Sequence, residues 1–118
     1  MEFKKTITEK TDELAGLLKQ SDEYSEFAAA REAAFAKEST RLLLSDYRAL
    51  QTKVQASALS GRTDEDELLR LQRLGELLQL DPAASRYLFA QFKLNAMLAD
   101  IYKRLAEAVD ADLGMLDD

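Results

Sequence analysis

Apolar residues recur along this chain at helical spacing, interrupted at only a few points. Ile7, Leu14 and Leu18 share one face of a first predicted helix over about 8–19, with Thr6-x-x-Glu9 readable as a capping box at its start. Gly16 inside it costs up to about 1 kcal/mol relative to Ala, unless a close helix contact exploits the missing side chain. Ser21-Asp22-Glu23 opens a second helix, with acids at the positive end of its dipole. There Tyr24, Phe27, Ala28, Arg31, Ala34 and Phe35 keep helical spacing, and alanines at 28–30, 33, 34 and 36 would let another backbone approach closely. Between Lys37 and Thr40 the apolar pattern lapses and two hydroxyls enter, which predicts a kink or a short break.

A third helix is predicted over 39–59, where Leu43, Tyr47, Leu50, Val54 and Ser57 step by four and three as a heptad seam. Ser60-Gly61-Arg62 is the clearest loop, and Thr63 is the expected N-cap of the next helix, followed by the acidic run Asp64-Glu65-Asp66-Glu67. Leu68, Leu71, Leu74 and Leu78 form the stripe of that fourth helix, with Leu69 and Leu77 widening it and Arg70 and Arg73 on the exposed side. Leu80-Asp81-Pro82 closes it and opens the last: Asp81 caps, and Pro82 takes the first helical position, where its missing N–H costs nothing. From Ala83 to about Leu113 no breaker intervenes until Gly114. Two adjoining seams run along this segment, Tyr87/Gln91/Leu94/Leu98/Ile101/Leu105/Ala108 and Leu88/Phe92/Asn95/Ala99/Tyr102/Ala106/Val109. Residues 115–118 read as a frayed acidic end.

Composition strengthens this picture. Leu (21) and Ala (18) dominate the apolar residues, Val and Ile are scarce, and there is one Pro. Leu and Ala lose little side-chain freedom in helices, whereas sheets favour branched and aromatic residues. The predicted fold is all-α: one domain over 1–118, an elongated bundle or hairpin of four to five helices with a long C-terminal one.

Composition also excludes chemistries. With no Cys and no His the chain has no thiol or imidazole nucleophile, no disulfide and no ordinary zinc site. The usual ferritin-like di-metal bundle, which needs histidines, is excluded too. No cofactor, metal or catalytic constellation is expected. A net charge of −6 gives no footprint for nonspecific nucleic-acid binding. No apolar run approaches the roughly 20 residues of a membrane span. The charged start leads into polar residues, not a secretory signal, so a cytoplasmic protein is expected.

The last helix carries the functional argument. About 31 residues at 1.5 Å each give roughly 46 Å, against roughly 35 Å for a compact monomer of this size. Its apolar seams continue into the overhang, so a cover is needed. Either a second chain supplies it, making a homo-oligomer with a dimer favoured, or the first helix folds back in an elongated monomer. The candidate interface comprises Tyr87, Leu94, Asn95, Leu98, Ile101, Tyr102, Leu105 and Val109. The four Tyr and five Phe lie mostly on apolar stripes and read first as core; Tyr87 and Tyr102, on adjacent seams, are also candidate anchors, pairing a large ring with a hydroxyl. Asn95 would either select register, as polar seam residues do, or sit wetted at a boundary.

Lys37, Arg41 and Arg48 fall on one helical face, with Gln55 beyond, and form a candidate face for an acidic partner or RNA. Glu38, Asp46 and the net charge argue against RNA. The acids at 64–67 point about 100° apart residue by residue and suit a helix dipole better than a metal. Asp110, Asp112, Asp117 and Asp118 form a solvated acidic end.

Taken together, Ser21-x-Glu23-Tyr24, the acid-capped Leu helix from Asp64, Asp81-Pro82-x-x-x-x-Tyr87-Leu88, then Leu94, Leu98, Ile101 and Ala106/Ala108/Val109 resemble the YlbF/YmcA family of small helical bacterial proteins. The match runs over roughly residues 2–113. The resemblance implies a cytoplasmic all-helical protein with no known enzymatic activity, forming homo-oligomers and joining regulatory complexes. In Bacillus-type bacteria such complexes influence competence, biofilm formation and sporulation, partly through the endoribonuclease RNase Y. Some of them hold iron–sulfur clusters, normally ligated by Cys thiolates; this chain has none to offer. The expected function is a regulatory interaction module. An RNA-binding helical adaptor and a structural or chaperone-like module are the alternatives.

Overall fold

The computed structural model describes residues 2–110. They form five helices, α1 (Glu2–Lys19), α2 (Asp22–Ala36), α3 (Glu38–Leu59), α4 (Glu65–Leu80) and α5 (Pro82–Ala108), with no strand among the described residues. The all-α expectation holds, and the break foreseen near Lys37 is a single extended residue with φ −97° and ψ 115°.

Helix ends follow local chemistry. Ser21 caps α2: its Oγ accepts the Tyr24 N–H at 3.1 Å and donates to the Leu18 carbonyl at 2.6 Å. α3 closes in a Schellman turn. The Arg62 N–H donates to the Ser57 carbonyl and the Gly61 N–H to that of Ala58, while Gly61 takes φ 75°, where a side chain would be strained.

Two caps differ from expectation. Thr6 lies inside α1, its hydroxyl donating to the Glu2 carbonyl four residues back, as Thr8 and Thr11 do to Lys4 and Ile7. At α4 the cap is Asp64, not Thr63. Its Oδ1 accepts the N–H groups of Asp66 at 2.9 Å and Glu67 at 3.4 Å, and a charged acceptor suits the positive helix end better than a hydroxyl.

The last helix is also shorter than its pattern suggests. α5 has 27 residues, about 40 Å, and ends at Ala108, with Asp110 in the left-handed region at φ 56°. Asp tolerates that conformation better than most residues, through local hydrogen bonding by its short side chain. Gly114 and the predicted frayed end at 115–118 lie outside the described residues.

The chain divides into two compact units, Ala28–Phe89 and the two end segments up to Phe27 and from Ala90. In the first unit α3 and α4 are antiparallel neighbours. Tyr47 lies beside Gly75, and Lys53 pairs with Glu67 at 3.0 Å, so the partner number falls as the α3 number rises. Leu43, Tyr47, Leu50, Val54 and Ser57 are all shielded, as the seam predicts, and Leu71, Leu74 and Leu78 face inward from α4. Leu69 and Leu77, expected to widen that stripe, are exposed instead. Among the α2 alanines only Ala30 and Ala34 are fully buried, one helical turn apart. In the second unit Glu26 and Lys93 pair at 2.8 Å, and no atom beyond its own helix comes within 4 Å of where a Gly16 side chain would start. No close contact therefore offsets that glycine's cost.

One polar contact joins distant parts of the first unit. Thr40, fully buried in the first turn of α3, donates its hydroxyl to Asp81 Oδ2 at 2.6 Å. The other oxygen of Asp81, Oδ1, accepts the N–H groups of Ala83 and Ala84 at the start of α5. The Thr40 hydroxyl, then these two N–H groups and the nearby Lys37 charge, hold the carboxyl below its usual value, while partial burial opposes them.

Thr40→Val keeps the shape but removes the donor, and is expected to cost about 1.5–3 kcal/mol in urea unfolding. Because the folded pKa is depressed, the stability that Asp81 contributes is complete above its unfolded pKa, about 4, and disappears as pH falls through the folded value. Between neutral pH and about pH 3, wild-type unfolding free energy should therefore drop more than that of Asp81→Asn, which removes the charge and, because its second terminal atom is an amide donor, keeps only one of the two acceptor roles.

Candidate functional site

Three cations proposed from the sequence meet different surroundings. Arg41 and Arg48, two turns apart on α3, line one open groove of about 420 Å³ in the first unit. Its wall is otherwise Phe35, Leu44, Ser45, Ala49, Thr52 and Tyr87. Lys37, outside the groove lining, occupies the α2–α3 break, where its charge acts on Asp81. Arg41 has Glu38 at 4.0 Å across an exposed surface, a contact of little energetic weight.

The aromatic wall is built within the chain. Tyr87 and Phe35 pack with ring centroids 5.4 Å apart and planes tilted by 55°, and the Arg31 guanidinium lies over Phe35 at 5.5 Å from its centroid. Tyr87 is 3 % exposed. It is therefore a core residue, as its place on an apolar stripe implies, and not the surface anchor also considered for it, since its ring packs against Phe35. The role of Arg31 was legible only as an Arg31/Phe35 pair at i, i+4, a spacing that places the two side chains on one helix face.

The α5 seams are also redistributed. The shielded positions include Tyr87, Ala90, Leu94, Met97 and Ile101, stepping by three and four, and beside them Leu88, Gln91, Lys93 and Ala106. Ala90 and Met97 lie outside the predicted seams; of the seam residues one position on, Gln91 is half-buried and Leu98 is exposed. The exposed positions Asn95, Leu98, Tyr102, Leu105 and Val109 form a second heptad row. Tyr102 is 65 %, Leu105 59 % and Val109 74 % exposed. On α1, Phe3, Ile7 and Leu17 are exposed as well.

The acidic groups resolve into structural partners. Asp64 caps α4, and Glu67 pairs with Lys53. Among the described residues no cluster of three or more Asp, Glu, His or Cys could hold a metal ion. Arg104 pairs with Asp100 at 3.0 Å. Asp112, Asp117 and Asp118 lie outside the described residues. No helix among the described residues is long and apolar enough to cross a membrane.

The fold and these surfaces define a class first: an all-helical protein whose distinctive features are an apolar helix row and a cation-rimmed groove. Comparison with known proteins makes it specific. The chain belongs to the YlbF/YmcA family, whose model, described as "Control of competence regulator ComK, YlbF/YmcA", matches residues 7–110. It is 38 % identical over 101 residues to the UPF0342 protein STH1710 of Symbiobacterium thermophilum, covering 85 % of this chain and 90 % of that one. The UPF0342 protein DSY2926 of Desulfitobacterium hafniense is 34 % identical over 110 residues, covering 88 % and 85 %. In fold the chain is similar to a solved protein of unknown function (DUF964) from Bacillus stearothermophilus, with TM-score 0.78 at 14 % identity over 89 % of this chain and 93 % of that one. The family is a regulatory one and not a known enzyme family.

Proposed function

We propose that this chain is a non-enzymatic, cytoplasmic regulatory module acting through protein–protein contacts, and that a second copy docks along the C-terminal half of α5. The supporting observation is the exposed row Leu98, Tyr102 and Leu105 on α5, stepping by four and three, with exposed Val109 four residues on, just past the helix end. Such a row is the geometry by which two helices interlock. Fully covering a side chain of this size contributes roughly 1.5–3 kcal/mol, so four together favour association once the cost of ordering is met. Asn95 continues the row by the same spacing and is exposed, a position from which a polar group biases register. Ile101 and Leu94, half-buried beside the row, support it from within. By family resemblance, the assembly joins partner proteins in complexes affecting competence, biofilm formation and sporulation, partly through RNase Y-dependent RNA processing.

Light scattering at micromolar concentration is expected to give a mass above the 13.3 kDa of one chain, a dimer being favoured. Leu105→Asp should lower that mass while circular dichroism keeps most of the helix signal. A wild-type chain already monomeric under these conditions would defeat the assembly.

A further inference from the structure

We propose that the groove lined by Arg41, Arg48, Phe35 and Leu44 receives an acidic segment of a partner protein, anchored by an apolar side chain. This rests on reading the chain as an interaction module, and specifies the chemistry of one partner. Every charged residue lining the groove is positive, on a chain whose net charge is −6. Arg48 has no ion pair among the described residues, and the acid beside Arg41, Glu38, is exposed and displaceable. Two neighbouring grooves of the same unit differ. One holds an acid, Asp46, among its charged residues, and its Lys53 is already paired with Glu67; the other, walled by Tyr47, Leu78, Leu88 and Phe89, carries no charge.

Geometry narrows the occupant. The two arginines lie seven positions apart, about 10.5 Å along the helix axis. Carboxylates two turns apart on a helix match that distance and share one face, whereas residues three apart in an extended chain point to opposite faces. Each guanidinium can take a carboxylate through two parallel hydrogen bonds. Between them Leu44, Ala49 and the Phe35 edge offer an apolar seat of side-chain size. RNA fits less well: the Phe35 face is occupied by Arg31, Tyr87 is buried, and neither offers an open platform for a base.

The probe is a short fluorescein-labelled peptide of leucine and glutamate, compared with the same peptide carrying glutamine for glutamate and with a single-stranded RNA. Fluorescence anisotropy should show binding of the glutamate peptide that weakens with salt. Arg41→Glu and Arg48→Glu should each weaken it by about tenfold or more, as should the glutamine peptide, whereas Arg70→Glu should leave it unchanged. Arg48→Gln provides the milder loss if charge reversal disturbs folding. Amide shifts in the complex should centre on Phe35, Leu44, Ser45 and Ala49. The proposal fails if the wild type ignores the glutamate peptide, if the Arg48 variants bind it equally well, or if RNA binds more tightly than the peptide. A chain that is monomeric yet binds the peptide through Arg48 would overturn the assembly and leave this groove standing.

Discussion

A single carboxylate organises the centre of the larger compact unit. Asp81 is the only residue between α4 and α5, and its two oxygens have separate tasks. One satisfies the N–H groups opening α5, the other receives the buried Thr40 hydroxyl from the first turn of α3. Without that acceptor a fully buried hydroxyl would have no partner in the described structure, at a cost of roughly 1–3 kcal/mol. The contact spans 41 positions of sequence, so it fixes where α3 begins relative to the α4–α5 corner. Pro82 supplies the sharp turn, and one helical turn beyond it Tyr87 meets Phe35. The wall of the cationic groove is thereby set by the same corner.

Small residues decide how the rest packs. Ala30, Ala34, Ala84 and Ala90 are all buried, whereas many of the large apolar side chains remain exposed. A chain that buries its alanines and presents leucine, tyrosine and phenylalanine has apolar area left for association. In the unit formed by the end segments this is clearest on α5, where Ala90, Leu94, Met97 and Ile101 turn inward and Leu98, Tyr102 and Leu105 turn out. Among the described residues no group of three or more His, Cys, Asp or Glu could hold a metal ion. Recognition by shape and charge is the chemistry these side chains support.

Much of the fold was legible because it depends on residues close in sequence. Ser21, Asp81 and Pro82 act at helix starts, Gly61 at a helix end, and the α3 seam from Leu43 to Ser57 faces inward as its spacing implies. Errors arose where several neighbours fitted one local rule. Thr6 and Thr63 both had capping residues' chemistry, yet the first satisfies itself within α1 and the second yields to the adjacent carboxylate. Leu69 and Leu77 fitted a broad stripe that the contact with α3 did not need to cover.

Sequence alone determined the all-helical class, most helix boundaries, the absence of thiol and imidazole chemistry, and the family pattern, because propensity, capping and composition act over a few residues. Tertiary structure alone decided which positions of α5 turn inward, taking some from the predicted seams and Ala90 and Met97 from outside them, and that Tyr87 belongs to the core while Arg41 and Arg48 share a groove. It also paired Thr40 with Asp81. A repeat of three and four specifies a face of a helix but not what meets it; that is settled when distant helices compete for the same apolar surface and every buried polar atom must find a partner.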